Sequence, residues 1–412
     1  MIMLLSVNHN VKSSALFKLA GYFLFILLLA MPVADFFTVV SREYGHSAFE
    51  RASLIYRALI LVALTILCSV GITRRKVIVF VLFFFGNVSL LLAYIGSGSD
   101  FGVFAESLLL LLKFFLFFLF YQGYLSLHTS GGLKLDRFYK LADFLMIGYA
   151  AAIVAGAAFS IDSFSYYESG RWGVKGIVVA GNEASALLIV SLAWFLMKDK
   201  SIANMLSTAL IMVAMIISGT KASMAGLFML VLGFYWASGR LTSLYKIPLF
   251  IALVSIVFLW LYHSSNAIQY AVASTWAYFE YQFYHHAQGS ILSLLLSGRD
   301  LKLGQVYELI FYYSPWSLII GGYPVAGYTV EMDFFDLIAL LGIVGSFIYI
   351  YSWLRCWASK QKATDSRRRF KFFFLGTFLL LAFLGGHMFY SAVAAPFLAL
   401  LAFRFSYDCW DA

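Results

Sequence analysis

The sequence predicts an all-α protein built as a polytopic bundle of membrane-spanning helices. Of its 412 residues, 62% are hydrophobic and only 12% are charged, and the mean hydropathy is +0.87. Soluble domains average about 45–50% apolar and about 25% charged residues, so this composition excludes an ordinary soluble domain. The apolar residues also gather into runs near the length of about 20 residues that crosses the hydrocarbon core of a bilayer.

The runs predict about twelve spans, since each crossing needs about 20 residues. Nine spans are predicted within residues 1–262 and three within 331–412, with a long loop at 263–330 between spans nine and ten. The runs lie at 15–34, 53–72, 77–95, 103–125, 141–161, 176–197, 202–218, 222–238, 247–262, 331–354, 370–386 and 388–405.

The basic residues predict the orientation of these spans. Short cytoplasmic loops are enriched in Lys and Arg, and the strongly basic stretch at 355–371 indicates that this connection and both chain termini are cytoplasmic. The loop at 263–330 then lies outside. Loops beyond about 12–15 residues are usually functional or disordered, and this one is rich in Tyr, Trp, Phe and Leu. We expect it to form short amphipathic helices at 267–286 and 301–313, to cover the mouth of the bundle and to carry part of an active site.

Several chemistries are not indicated. The net charge of +9 follows from the basic cytoplasmic loops and does not suggest a nucleic-acid partner. Cys68, Cys356 and Cys409 have no paired spacing, so neither a disulfide nor a metal site is expected. Walker, dinucleotide-binding, nucleophile-elbow and HExxH motifs are absent from the sequence. We therefore expect no metal and no cofactor.

Of the basic residues predicted at the outer face, where few are expected, three are candidates for binding an anion. Arg171 lies in ESGRWGVKG, Lys221 in SGTKAS and Arg299 in SGRD. Arg forks and Lys point charges are the side chains that bind phosphate oxygens, so the three suit a pyrophosphate. The alternative is that each is an interfacial cation or pairs with a neighbouring carboxylate such as Glu168 or Asp300.

Three carboxylates, Glu331, Asp333 and Asp336, open the tenth predicted span from outside. The spacing of Asp333 and Asp336 places both on one helix face. A carboxylate beside outer cations can serve as a general base for a hydroxyl group. The alternative is that these residues only stabilise the positive end of the helix dipole.

Further candidates lie in or beside predicted spans. GNEASA places Asn182 and Glu183 inside the sixth span, where an ionisable side chain costs about 2.5–3.5 kcal/mol and marks a functional candidate. The structural alternative for Glu183 is an ion pair with Lys113, which also lies within a predicted span. The histidines considered for a catalytic or binding role are His285, His286 and His387.

Taken in order, these motifs resemble the O-antigen polymerase and ligase family of bacterial polysaccharide enzymes. The resemblance covers residues 165–395 and is carried by RWGVKGIVVAGNEASALL, SGTKAS, the SGRD of the long loop, EMDFFDLIALLGIVG and GGHMFYS. It implies a metal-independent glycosyltransferase of the bacterial inner membrane that acts at the periplasmic face on undecaprenyl-pyrophosphate-linked sugars. Arg171 and Arg299 match basic positions of the family, whereas Lys221 stands where many members have Arg.

The resemblance also implies a reaction. Lipid-linked repeat units would be polymerised into a surface polysaccharide such as O-antigen or capsule, with Arg171 and Arg299 holding the leaving group, Lys221 in support, and Glu331 or Asp333 as base. The acidic start of the tenth span, where ligases place a His, favours the polymerase. Two alternatives stay open: a ligase that moves finished glycan to lipid A core or protein, and a flippase or transporter of lipid-linked sugars. The implied partners are lipid-linked glycans, the bilayer, a chain-length regulator and a flippase.

Overall fold

The computed structural model describes residues 15–46, 49–69, 74–97, 100–130, 135–166, 173–239, 296–313, 315–323, 329–358 and 364–407, with isolated positions between 259 and 293. Within these residues the regular structure is helical, apart from one isolated antiparallel bridge between Ser165 and Val174. The predicted all-α class is therefore confirmed.

The helices follow the predicted runs closely. Those before residue 240 are α1 (Ala15–Tyr44), α2 (Ala52–Ser69), α3 (Arg74–Ser97), α4 (Phe101–Ser130), α5 (Leu135–Ala158), α6 (Gly181–Leu196), α7 (Ile202–Ile217) and α8 (Lys221–Ala237), with a short 3-10 turn at Asp162–Phe164. Those after residue 295 are α9 (Arg299–Tyr313), α10 (Ser317–Ile320), α11 (Asp333–Cys356), α12 (Asp365–Leu384) and α13 (Ala395–Tyr407). The α9 helix covers the residues 301–313 for which a helix was predicted, and its amphipathic character stays a prediction.

Six of these helices, α1 to α5 and α11, are long and apolar enough to cross a membrane, and α6, α7, α8 and α13 are shorter apolar helices. Large apolar side chains are exposed on this surface, among them Phe80 at 69% and Phe347 at 74%. Such a surface suits lipid and not water. The chain is a multi-pass helical membrane protein, and twelve spans stay a prediction. The predicted ninth span at 247–262 and the predicted helix at 267–286 lie almost entirely outside the described residues.

The centre of the bundle is formed by α6 and α13. Every residue from Glu183 to Phe195 is buried, as is every residue from Ala395 to Ser406. A helix that is apolar on all sides is one surrounded by protein. The α13 helix packs against α4 and α6, and α8 packs between α6 and α12. These central helices hold the ends of their neighbours in fixed positions.

The α11 helix is interrupted at Gly342, which has φ 70° and ψ 172°. The chain around α10 packs into the interruption: the backbone N–H of Gly322 donates to the carbonyl of Leu340, and that of Tyr323 to the carbonyl of Ala339, both at 3.0 Å. A side chain at position 342 would lie 2.1 Å from the carbonyl oxygen of Ile319. Irregular backbone within a membrane protein is tolerated where protein surrounds it and its polar groups are paired.

Candidate functional site

The helix ends that the predicted topology places outside lie close together, and charged side chains meet there. The N-terminal halves of α2, α4 and α6, the N-terminal end of α9, the C-terminal halves of α1 and α5, and the loops before α11 and after α12 contribute residues. We call this set the polar cluster; its members are Asp35, Arg57, Lys113, Glu183, Arg299, Lys302, Glu331 and His387.

Two cations of α9 share one carboxylate. The Oε1 of Glu331 lies 3.0 Å from Nζ of Lys302, and its Oε2 lies 3.5 Å from Nη2 of Arg299. The cations are three residues apart and so project from one face of the helix. The Arg299 side chain is 15% exposed and that of Lys302 is 51% exposed. This group of three carries one unit of excess positive charge and opens to solvent on the Lys302 side.

The ion pairs determine the protonation state of Glu331. Burial raises the pKa of its carboxyl group, but the hydrogen bond from Lys302 and the charges of Lys302, Arg299 and His387 outweigh burial and hold the pKa below its ordinary value. Glu331 is therefore ionised at neutral pH, with its oxygens held by α9.

His387 faces the middle of the cluster. Burial lowers the pKa of its imidazole; Glu183 and Glu331 raise it, and Lys113 and Arg299 lower it further. The net pKa is below the ordinary value of 6.5, so the ring is neutral at pH 7. A neutral imidazole has one donor and one acceptor nitrogen, which suits hydrogen bonds with a hydroxyl group.

Asp333 is wholly buried, and its carboxylate accepts three backbone hydrogen bonds. The donors are the N–H groups of His387 at 2.7 Å, Met388 at 2.8 Å and Phe389 at 2.7 Å. Asp336, also buried, accepts the backbone N–H of Val330 at 2.9 Å. Both carboxylates thus hold the loops that present Glu331 and His387, and the Asp333 oxygens face backbone rather than an open site.

Three residues around the cluster adopt positive φ without being glycine: Ser297 at 57°, Glu331 at 62° and His387 at 74°. Such conformations cost about 1–3 kcal/mol each and occur preferentially at functional sites. The loops of Glu331 and His387 also touch, because a side chain at Gly386 would lie 2.5 Å from the carbonyl oxygen of Glu331. The fold therefore imposes the positions of these two side chains.

The SGTKAS and SGRD motifs meet in space. Lys221 is the first residue of α8, and its Nζ donates to Oγ of Ser297 at 3.1 Å. Ser297 lies two positions before Arg299, where α9 begins. The N-terminal ends of two helices and two cations are thus adjacent, an arrangement that favours anions.

The sequence-based pairing of Lys113 with Glu183 is present: Nζ and Oε1 are 3.8 Å apart, and the Glu183 side chain is only 7% exposed. Asn182, one residue earlier in α6, is half-buried. Arg171, His285 and His286 lie outside the described residues.

The sequence analysis missed another ion pair in the cluster, that of Asp35 with Arg57. The carboxylate of Asp35 accepts hydrogen bonds from Oγ of Ser53 at 2.6 Å, Nη2 of Arg57 at 3.0 Å and Oη of Tyr149 at 2.7 Å. The charge of Glu183 also acts on Arg57, which joins this pair to the rest. The available signal was Asp35 itself, a carboxylate at the end of an apolar run.

Among the described residues, no group of three or more His, Cys, Asp or Glu side chains is placed to hold a metal ion. No protein-family model matches the chain, and no curated protein matches it. The fold and the cluster define the class: a multi-pass helical membrane protein in which a charged cluster lies at one end of the bundle.

Proposed function

We propose that the protein is a glycosyltransferase that polymerises lipid-linked oligosaccharide repeat units, using undecaprenyl pyrophosphate as the leaving group. The observation that carries the proposal is the contact of Arg299 and Lys302 with the single carboxylate of Glu331, beside Lys221 and the N-terminal ends of α8 and α9. A departing diphosphate needs cations of this kind, and a hydroxyl nucleophile needs a carboxylate among them.

In the proposed reaction, the hydroxyl oxygen of an acceptor repeat attacks the anomeric carbon of the donor glycan. The bond from that carbon to the pyrophosphate oxygen breaks, and its electron pair leaves with the pyrophosphate. Arg299, Lys302 and Lys221 stabilise the developing charge. The hydroxyl proton passes to a carboxylate, and no nucleotide is consumed because the lipid pyrophosphate is already an activated leaving group.

Glu331 is the better candidate for the base. Its side chain is 36% exposed and ionised, whereas the Asp333 oxygens already accept three backbone N–H groups. A diphosphate bound by Arg299 and Lys302 would also release Glu331 from its ion pairs and raise its affinity for a proton. His387 and Asn182 are assigned to sugar hydroxyls, and Glu183 to holding Lys113 in the cluster. Arg171 stays a proposal as a further cation that binds the pyrophosphate.

The ligase alternative uses the same donor and the same cluster. A transporter of lipid-linked sugars is favoured by a separate observation, the interruption of α11 at Gly342, since transporters build their sites from discontinuous helices. The polymerase reaction accounts for the carboxylate and the cations together, whereas transport alone gives Glu331 no role as a base.

The experiment is incubation of the purified protein in nanodiscs with a synthetic undecaprenyl-pyrophosphate repeat unit, without nucleotide or metal. We expect a ladder of lipid-linked oligomers. Arg299→Gln should abolish the ladder, whereas Arg368→Gln on the exposed face of α12, the same change in charge, should leave it intact. Addition of lipid A core tests ligase activity, and flip of the repeat across a proteoliposome without a ladder would support transport and refute polymerisation.

A further inference from the structure

A cavity lies on the opposite half of the bundle, far along α11 from the polar cluster. It has a volume of about 470 Å³ and lies between α3, α4 and α11. Ligand pockets typically measure about 300–1,000 Å³, so a small headgroup fits. The residues that line it are Ile78, Val79, Phe118, Gln122, Tyr351, Ser352, Arg355 and Cys356.

The cavity has an exposed wall and a buried floor. Ile78 is 37% exposed and Tyr351 50% exposed, whereas Phe118 and Cys356 are almost fully buried. The exposed surface beside the wall is apolar on both helices, with Val81 on α3 and Phe347 on α11. The cavity therefore opens on a surface of the kind that faces lipid, not on the charged end of the bundle.

The side chain of Arg355 lies at the opening of the cavity. Arg355 is exposed, and its Nε donates to Oη of Tyr351 at 3.0 Å, with its guanidinium 5.3 Å from the Tyr351 ring centroid. These contacts fix the side chain while leaving its terminal nitrogens for another acceptor. Arg355 also begins the basic connection at 355–371, and Lys76 of α3 binds Oγ of Ser126, one helical turn from Gln122. The region suits a phosphate group.

The floor supplies an unsatisfied acceptor. Gln122 is 4% exposed, and within the part of the chain that the structure describes its Oε1 has no hydrogen-bond partner. A buried polar atom without a partner destabilises the fold. A ligand that brings a hydroxyl group to Gln122 while its phosphate meets Arg355 would remove that destabilisation.

We propose that this cavity binds an anionic phospholipid whose headgroup carries hydroxyl groups, as phosphatidylglycerol does. Its phosphodiester meets Arg355, a headgroup hydroxyl donates to Gln122, and the acyl chains leave past Ile78 and Val79 onto the apolar surface. Basic pockets between membrane helices on the cytoplasmic side commonly hold anionic headgroups. This site is independent of the polar cluster and of the proposed polymerase reaction.

The test measures thermal unfolding of the full chain in neutral detergent as lipid is added. Phosphatidylglycerol should raise the midpoint in a saturable manner, and phosphatidylcholine, which has the phosphate but no headgroup donor, should not. Glycerol phosphate and inorganic phosphate separate a lipid from a soluble anion, and stabilisation by them to the same extent would contradict a lipid site. Equal stabilisation by phosphatidylcholine would overturn the assignment of Gln122.

Two variants locate the effect. Arg355→Gln should weaken the apparent affinity for phosphatidylglycerol at least about tenfold, the loss of about 1.4 kcal/mol expected for a charge-assisted contact. Arg369→Gln, an exposed arginine of α12 that does not line the cavity, should not change it. A photoreactive phosphatidylglycerol analogue on the unaltered chain gives a second measurement, with labelling expected near Tyr351 and Ser352. Labelling confined to other helices would refute the site.

Discussion

The Oδ1 atom of Asp333 lies 2.7 Å from the backbone nitrogen of His387, so the first turn of α11 is joined directly to the loop after α12. Its Oδ2 accepts the next two N–H groups of that loop. Each of the joined loops presents one residue with positive φ, Glu331 on one side and His387 on the other. The buried carboxylate of Asp333 therefore fixes the loops that carry Glu331 and His387.

Asp333→Asn should destabilise the protein and misplace His387. The amide offers one acceptor oxygen in place of two, and its NH₂ group would face backbone N–H donors in a fully buried position. We expect a loss of about 1–3 kcal/mol, the cost of leaving buried hydrogen-bonding groups unpaired. The measurement is the thermal midpoint by size-exclusion chromatography in detergent. Asp365→Asn changes an exposed carboxylate of α12 and is the control; it should leave the thermal midpoint nearly unchanged. Equal midpoints for the two variants would contradict the role of Asp333 in holding the loop of His387.

The contribution of Glu331 to the stability of the fold should depend on pH. Because its pKa in the folded protein is below the ordinary 4.5, its ion pairs stabilise the fold above that value and are lost as the pH falls through the folded pKa. The midpoint of the unaltered protein should exceed that of Glu331→Gln from pH 7 to about 5, and the gap should close below pH 4.5. Glu308→Gln changes an exposed carboxylate of α9, the helix that carries Arg299 and Lys302, and should show no such closing gap. A gap that widens in acid would refute the sign of the shift.

The length and spacing of the apolar runs were enough to predict most helices. The predicted run at 202–218 corresponds to α7 at Ile202–Ile217, and the run at 222–238 to α8 at Lys221–Ala237. The prediction was wrong where polar residues continue a helix: α1 runs to Tyr44, past the end of the apolar run at 34. Asp35 and Thr38 stay helical there because α2 and α5 satisfy their side chains. A hydropathy profile contains no information about such partners.

The last span differs for a similar reason. The predicted run began at 388, but α13 begins at Ala395, because Asp333 takes the N–H groups of residues 387–389 that a helix would use internally. The pairing of Lys113 with Glu183 could be suggested because two buried charges each needed a partner. Asp35 and Arg57 gave a weaker signal, since Asp35 lies just after an apolar run and Arg57 lies near the start of the next one.

The interruption of α11 predicts a sharp difference between two glycines. Gly342→Ala would place a side chain at positive φ and 2.1 Å from the carbonyl oxygen of Ile319, and we expect a loss above about 2 kcal/mol, since positive φ alone costs about 1–2 kcal/mol. Gly376→Ala is the matched control: it lies inside α12 with open space at its Cβ, and alanine there is favoured by up to about 1 kcal/mol. The measurement is the thermal midpoint of both variants. A stable Gly342→Ala protein would mean that the α10 segment does not enter α11.

The pair of Lys113 and Glu183 can be tested by a double-mutant cycle. Lys113→Gln leaves the Glu183 carboxylate, 7% exposed, without its cation, and we expect a loss of about 1–3 kcal/mol. The double variant Lys113→Gln/Glu183→Gln should recover part of that loss. We expect a coupling energy of about 0.5–3 kcal/mol, because the two side chains are in contact. Lys198→Gln, which removes a cation paired with Asp143 instead, should be additive with Glu183→Gln. If the effects were additive in both cycles, the 3.8 Å contact would contribute nothing to stability. The charge of Glu183 would then be balanced by Arg57, the other cation with which it interacts.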